Sequence, residues 1–302
     1  MAQRINHCIG LRFLSNESIL SILDEAQKIK SGDSIVNLQN QSVVHVFFEP
    51  STRTRLSFEM ATQRCQAFPM MLDVKTSSLT KGESLVDMMR NIESLGAKAV
   101  IVRHSNGGIP YFISQQLNIP VINAGDGYHE HPSQGLLDLF TLRERFGDLA
   151  GKHVLILGDI MHSRVAKSNI WGLLSLGAKV SVSGPPNLVP ECVKKWGVDI
   201  CFDLDECLPR VDAVNVLRIQ FERQHGIALP SIREYREQFG LTKKRQQLLP
   251  DSAIVLHPGP INRGVELDSD VADGEKNVIL DQVSNGVFVR MALLSLMMEG
   301  NL

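Results

Sequence analysis

The stretch VVHVFFEPSTRTRLSFEMATQRC (43–65) decides how this chain is read. Its first six residues are almost continuously apolar, the pattern of a strand covered on both faces. Helical spacing then takes over near three hydroxyl residues, Ser51, Thr52 and Thr54. A helix that starts where a buried strand ends offers unpaired backbone N–H groups and a partial positive charge at one point. Arg53 and Arg55 add full charges and forked donors, and an oxyanion such as phosphate satisfies all of these groups at once. The plainer reading is a Ser/Thr cap beside two surface arginines. Two arginines interleaved with hydroxyls directly after a buried strand favour the anion.

Similar short apolar runs recur at 99–103, 120–123, 153–158, 179–184, 212–217 and 253–257, separated by longer segments with helical spacing. That alternation predicts an α/β protein with parallel sheets flanked by helices, in which ligands lie at the carboxyl ends of the strands. A prior of about 150 residues per domain makes two domains of the 302 residues. The helical segment 133–147, followed by a fresh strand after two glycines, puts a boundary near 130–150. The last segment, LDQVSNGVFVRMALLSLMME, is helical and strongly apolar on one side, so it docks on the body. The charged stretch 220–250 is the expected mobile region, its plainer reading being a solvated helical surface.

Composition narrows the function. The 31 Lys and Arg against 33 Asp and Glu give a net charge of −2, without the positive field that draws nucleic acid. No run approaches the roughly 18 apolar residues of a membrane span, and MAQRINHCIGLRFLSN lacks the apolar core of a leader, so neither nucleic acid nor a membrane is an expected partner and the expected compartment is the cytoplasm. The five cysteines, Cys8, Cys65, Cys192, Cys201 and Cys207, lack CxxC pairs and nearby histidines. They read as reduced, mostly structural thiols, and no metal site is expected.

Other strand ends also carry chemistry. Arg103-His104 closes one strand. His131-Pro-Ser-Gln134 follows a glycine-rich turn and puts His131 and Gln134 about one helical turn apart, where one donates to a developing oxyanion and the other orients an amide. KTSSLTKGES (75–84) presents Ser77, Ser78 and Lys81 in a polar loop and is weak evidence alone. Arg164, then Arg218 with Gln220, then His257-Pro-Gly-Pro260 follow later strands. Two arginines from separate strands suit a substrate with two carboxylates. There is no G-x-G-x-x-G, G-x-x-x-x-G-K-[ST], G-x-S-x-G or H-E-x-x-H, so dinucleotide, P-loop, serine-hydrolase and zincin readings lack their starting residues.

Together, Phe48-Glu-Pro-Ser-Thr-Arg-Thr-Arg55 and His131-Pro-Ser-Gln134 resemble the carbamoyl-phosphate and H-P-x-Q motifs of the transcarbamylase family. The likeness continues through Lys81-Gly-Glu-Ser84, Val102-Arg-His104, Ala124-Gly-Asp-Gly127, Gly158–Arg164, Leu217–Gln220 and His257–Pro260, so it spans essentially the whole chain. HPGP and the absence of an H-C-L-P segment resemble the aspartate branch of that family. The resemblance implies a carbamoyl-phosphate-binding domain over 1–132, completed by a returning C-terminal helix over 281–302, and an aspartate-binding domain over 133–280. It implies transfer of the carbamoyl group of carbamoyl phosphate to the amine of L-aspartate, a step of pyrimidine biosynthesis, with no cofactor and no metal. By resemblance, Ser51, Thr52, Arg53 and Thr54 hold the phosphate, and Thr54, Arg103 and His131 polarise the carbonyl. Gln134 and the Pro258–Gly259 segment hold the amino group. Arg164, Arg218 and Gln220, assisted by Lys81, grip the aspartate carboxylates. A homotrimer is implied, in which Ser77 and Lys81 come from a neighbouring subunit; a regulatory chain or a dihydroorotase is a further partner the family allows. Gly259 stands where other members carry leucine, so a looser loop with retained activity is expected there. The competing readings are an ornithine acceptor, disfavoured by the cationic acceptor site, and a catalytically silent scaffold.

Overall fold

Continuous apolar runs become parallel strands here because helices cover both sheet faces. The computed structural model describes residues 7–219 and 231–300. These fall into two units, Met1–Phe140 with Ser284–Leu302, and Thr141–Val283. The chain passes between them within α5 (Pro132–Phe146) and again within α11 (Ile279–Met298).

The first unit holds a four-stranded parallel sheet in the order β2-β1-β3-β4, with β1 Ser42–Phe47, β2 Phe68–Leu72, β3 Ala97–His104 and β4 Val121–Asp126. Its helices are α1 (Asn16–Ser31), α2 (Thr52–Arg64), α3 (Leu85–Ser94), α4 (Ile109–Ser114) and the start of α5. The register opposes Phe47 to Arg103 and His104 to Asp126, so the carboxyl ends of β1, β3 and β4 lie along one edge. One core cluster joins Val44, Val46, Val100 and Val102 to Met88, Met89 and Ile113. Full burial of each such side chain contributes roughly 1.5–3 kcal/mol.

The second unit holds a five-stranded parallel sheet in the order β7-β6-β5-β8-β9, with β5 His153–Leu157, β6 Lys179–Ser183, β7 Asp199–Ile200, β8 Ala213–Val216 and β9 Ile254–Leu256. Its helices include α6 (Arg164–Ser175), α7 (Leu204–Cys207), α8 (Ile232–Phe239), α9 (Lys243–Gln246) and α10 (Ser269–Ala272). Every strand predicted from sequence is present. Two more are found: β2, an edge strand whose Pro69 lowers its strand signal, and β7, only two residues long.

The C-terminal helix returns to the first unit, as its apolar face requires. Lys30 Nζ donates to Asn285 Oδ1 at 2.8 Å. The buried Arg290 guanidinium lies 4.9 Å over the Phe58 ring and donates to Ser57 Oγ at 2.9 Å, bracing α2. Burial pulls Arg290 down to about 10, against the opposing pull of Asp138.

Two expectations change. Cys201 and Cys207 form a disulfide rather than two reduced thiols, leaving Cys8, Cys65 and Cys192 free. The short α7, capped by the Asp203 side chain, folds the intervening residues back on themselves, a closure that six-residue spacing does not advertise. Within the charged stretch, residues 220–230 lie outside the described residues, while α8 is anchored rather than merely solvated: a Ser231–Glu234 capping box starts it and Tyr235 and Phe239 are buried.

His45 sits in the middle of β1 with no exposure. Thr62 Oγ1 donates to Phe58 O at 2.8 Å, so it accepts from His45 Nε2, 3.2 Å away, and Nδ1 is left buried without a partner. Burial, with the charge of Arg55, lowers the His45 pKa from 6.5 to about 4. The unfolded chain therefore binds the extra proton first: stability is fully present above pH 6.5 and falls as the pH drops toward 4. Chemical denaturation should show about 2 kcal/mol lost between pH 7 and pH 5 from this group, and His45→Gln should remove that part of the pH dependence.

Candidate active site

Among the described residues five α-helices begin after serine, and one differs. Ser15, Ser84, Ser163 and Ser231 each accept a backbone N–H from their own first turn. Ser51, before α2, adopts an extended backbone and makes no such bond. The hydroxyl and the first N–H groups of α2 therefore keep their capacity for an anion, at the carboxyl end of β1. Thr52 and Arg53 are exposed at the same turn, and Arg53 has no ion pair among the described residues. Arg55 points elsewhere: its Nε meets Glu59 Oε1 at 2.9 Å along the outer face of α2, so only one of the two arginines is available to the site.

Thr54 is buried, and its Oγ1 lies 3.4 Å from His131 Nε2. His131 precedes α5 and its Nδ1 lies 3.4 Å from Ser133 Oγ. Arg103, one residue before the end of β3, donates to Ala124 O at 3.2 Å and has its Nε 3.4 Å from Glu49 Oε2. Gln134 Nε2 donates to the buried Asp138 Oδ1 at 2.9 Å. That leaves its Oε1 as the acceptor for a ligand N–H. His104 packs against Phe48 in a tilted contact at 4.7 Å between centroids, and burial lowers its pKa.

Asp126 ties the loops together. Its Oδ1 accepts from Asn123 Nδ2 and Glu130 N, and its Oδ2 accepts from Gly108 N at 2.7 Å and meets His129 Nδ1 at 3.1 Å. At Gly127, φ is +45° and a Cβ would stand 2.7 Å from Gly107 N, so only glycine fits where the two loops cross. Ser77 Oγ donates to Val74 O and Lys81 is exposed; no hydrogen bond or ion pair joins either to the Ser51–His131 group.

In the second unit, Arg164 is buried as the first residue of α6, after the turn closed by Asp159 and His162. Arg218 follows β8, whose Val216 pairs with Leu157 of β5, so both arginines leave adjacent strands at their carboxyl ends. Gln220 lies outside the described residues. Gly259, after β9, has φ +64°, the region a leucine enters only with strain, and its N–H donates to His257 Nδ1 at 2.8 Å. The glycine fits this turn rather than loosening it.

Glu49, Asp126 and Asp138, which orient Arg103, two loops and Gln134, were not singled out from sequence. Asp138 alone carried a local signal, lying four residues beyond Gln134 on one helical face.

Residues 6–144 match the aspartate/ornithine carbamoyltransferase carbamoyl-P binding domain, and residues 150–297 match the Asp/Orn binding domain of the same proteins. The chain belongs to the aspartate/ornithine carbamoyltransferase family. It is 48% identical to the aspartate carbamoyltransferase catalytic subunit of Halothermothrix orenii, covering 98% of this chain and 96% of that one. It is 49% identical to the subunit of the same name from Opitutus terrae, over 97% and 95%. Among solved structures it resembles aspartate transcarbamoylase from Trypanosoma cruzi in complex with carbamoyl phosphate, with a TM-score of 0.86, 27% identity and coverage of 97% and 95%. It also resembles ornithine carbamoyltransferase from Pyrococcus furiosus, with a TM-score of 0.88, 26% identity and 99% of both chains.

Asp138→Ala should release the Gln134 amide and lower kcat/KM for carbamoyl transfer about tenfold, the loss of one charge-assisted hydrogen bond, with the melting temperature measured in parallel.

Proposed function

We propose that this chain transfers the carbamoyl group from carbamoyl phosphate to the amine of L-aspartate, giving N-carbamoyl-L-aspartate and phosphate. The observation that carries the reading is the uncapped N-terminus of α2 beside the Thr54–His131 pair. The full-length likeness to aspartate carbamoyltransferase catalytic subunits supports the acceptor.

The chemistry follows from charge. The neutral amine of aspartate attacks the carbamoyl carbon, and negative charge collects on the carbonyl oxygen. Thr54, Arg103 and His131 donate to that oxygen and stabilise the charged transition state more than the planar ground state. Gln134 Oε1, with the backbone carbonyls of Pro258 and Gly259, accepts the carbamoyl N–H groups. As the C–O bond breaks, the departing phosphate stays on Ser51, Thr52, Arg53 and the α2 N-terminus and takes the proton lost by the amine. Arg164, Arg218 and Gln220 hold the aspartate carboxylates. Fixing both reactants in a near-attack arrangement replaces a bimolecular encounter.

The assembly we assign is a homotrimer in the cytoplasm, with Ser77 and Lys81 of one subunit completing the site of the next. Exposed apolar side chains support this: edge strand β2 presents Phe68 and Met70 on one face and Met71 on the other, and α2, which packs against β2, exposes Leu56 and Met60. The segment carrying Ser77 and Lys81 leaves directly from that strand.

Arg53→Ala and His131→Ala should each lower kcat for carbamoyl-aspartate formation on the order of 10²–10³-fold with unchanged folding. Wild-type-like rates in both variants would refute the site. Mixing dissociated Lys81→Ala and His131→Ala subunits and reassembling them should restore part of the wild-type activity. No recovery from reassembled mixtures would contradict shared sites.

A further inference from the structure

The second unit buries a carboxylate that none of the roles above uses. Glu266 has no exposure, and its Oε2 has no hydrogen-bond partner. Its Oε1 lies 3.3 Å from His257 Nε2 and accepts the backbone N–H of Asn262. The tautomer of His257 follows from its other nitrogen. Gly259 N donates to Nδ1 at 2.8 Å, so Nδ1 is an acceptor, and the proton sits on Nε2, directed at the carboxylate. The turn from Pro258 to Ile261 is thus held at both ends by one side chain: through His257 where it leaves β9, and through Asn262 where it ends. Asn262 extends the network, its Nδ2 donating at 2.9 Å to the backbone oxygen of Ile219, the residue after Arg218. Tyr235 packs with Ile219, Phe239 and Val265, and burial, reinforced by the charges of Glu266 and Asp159, pushes its hydroxyl pKa up.

A buried, half-satisfied carboxylate costs stability. Here it fixes the geometry of a turn whose useful groups are main-chain carbonyls, which no side chain of their own can orient. We infer that Glu266 is a positioning residue for carbamoyl transfer: through His257 and Asn262 it sets the Pro258–Gly259 turn and couples it to the strand end that carries Arg218. This rests on reading that turn and Arg218 as the groups that hold the two substrates.

The test uses the full chain and compares Glu266→Gln, Glu266→Ala and Asn262→Ala, with kcat, KM for each substrate, and melting temperature. Glutamine keeps an oxygen acceptor for both N–H donors, so Glu266→Gln should stay within about threefold of wild type in kcat/KM. Glu266→Ala should raise KM for both carbamoyl phosphate and aspartate about tenfold, and Asn262→Ala should raise KM for aspartate alone, with its melting temperature unchanged. A folded Glu266→Ala variant with both KM values unchanged overturns the inference, as does Glu266→Gln falling as far as Glu266→Ala. Where Glu266→Ala fails to fold, an unchanged aspartate KM in Asn262→Ala overturns it. A wild-type chain that transfers to neither aspartate nor ornithine removes the functional reading itself, whereas an active wild type with unaffected variants removes only the role of Glu266.

Discussion

An open helix N-terminus is the constraint on which the first unit turns. Leaving α2 without a side-chain cap costs about 1 kcal/mol that its serine-capped counterparts keep, so the rest of the unit must hold the helix in place. The parallel sheet aims α2 by delivering it from the carboxyl end of β1. Arg290, lying over Phe58 and bonded to Ser57, clamps it from the C-terminal helix. Around that fixed point, register alone brings Arg103 and the β4 loop to the same edge. The groups proposed to meet an anion are thus the ones the fold leaves unfinished.

Acidic side chains do the orienting in both units. In the first, Glu49 faces Arg103, Asp138 turns Gln134, and Asp126 knots two loops whose crossing admits only glycine. In the second, Glu266 spans a turn of backbone carbonyls. Each carboxylate is wholly or mostly buried, where a hydrogen bond is stronger and a broken one more costly than in water. The groups proposed to meet the substrates are each held by a carboxylate one layer further out: Glu49 holds a donor, Arg103, whereas Asp138 and Glu266 hold acceptors, Gln134 Oε1 and the Pro258–Gly259 carbonyls.

Most of the architecture was legible from sequence because doubly covered strands write themselves as apolar runs. The exceptions have physical causes. Pro69 and its exposed neighbours disguise β2, which needs only one partner strand, and β7 is too short to carry a period. Ser51, Thr54, Arg103 and His131 could be named as candidates because strand ends are where such sheets present chemistry. Arg55 was misjudged since helical phase, not proximity in sequence, turned it to Glu59. Asp126 and Glu266 were not singled out because their partners, backbone N–H groups together with Asn123, His129 and His257 side chains, are gathered by loop paths that only tertiary structure defines. The Cys201–Cys207 link was hidden because the one-turn α7 that closes it leaves no mark in a six-residue spacing.

The central claim is that donors preplaced around Thr54, Arg103 and His131 pull on the carbonyl of a reactant whose phosphate rests on α2. Carbon-13 NMR of carbamoyl phosphate labelled at the carbonyl and bound to the protein tests this without any acceptor present. The account predicts that the bound carbonyl resonance moves downfield from its position in water, and that Arg103→Ala moves it back while the phosphate remains bound. A bound resonance that coincides with the free one would contradict it.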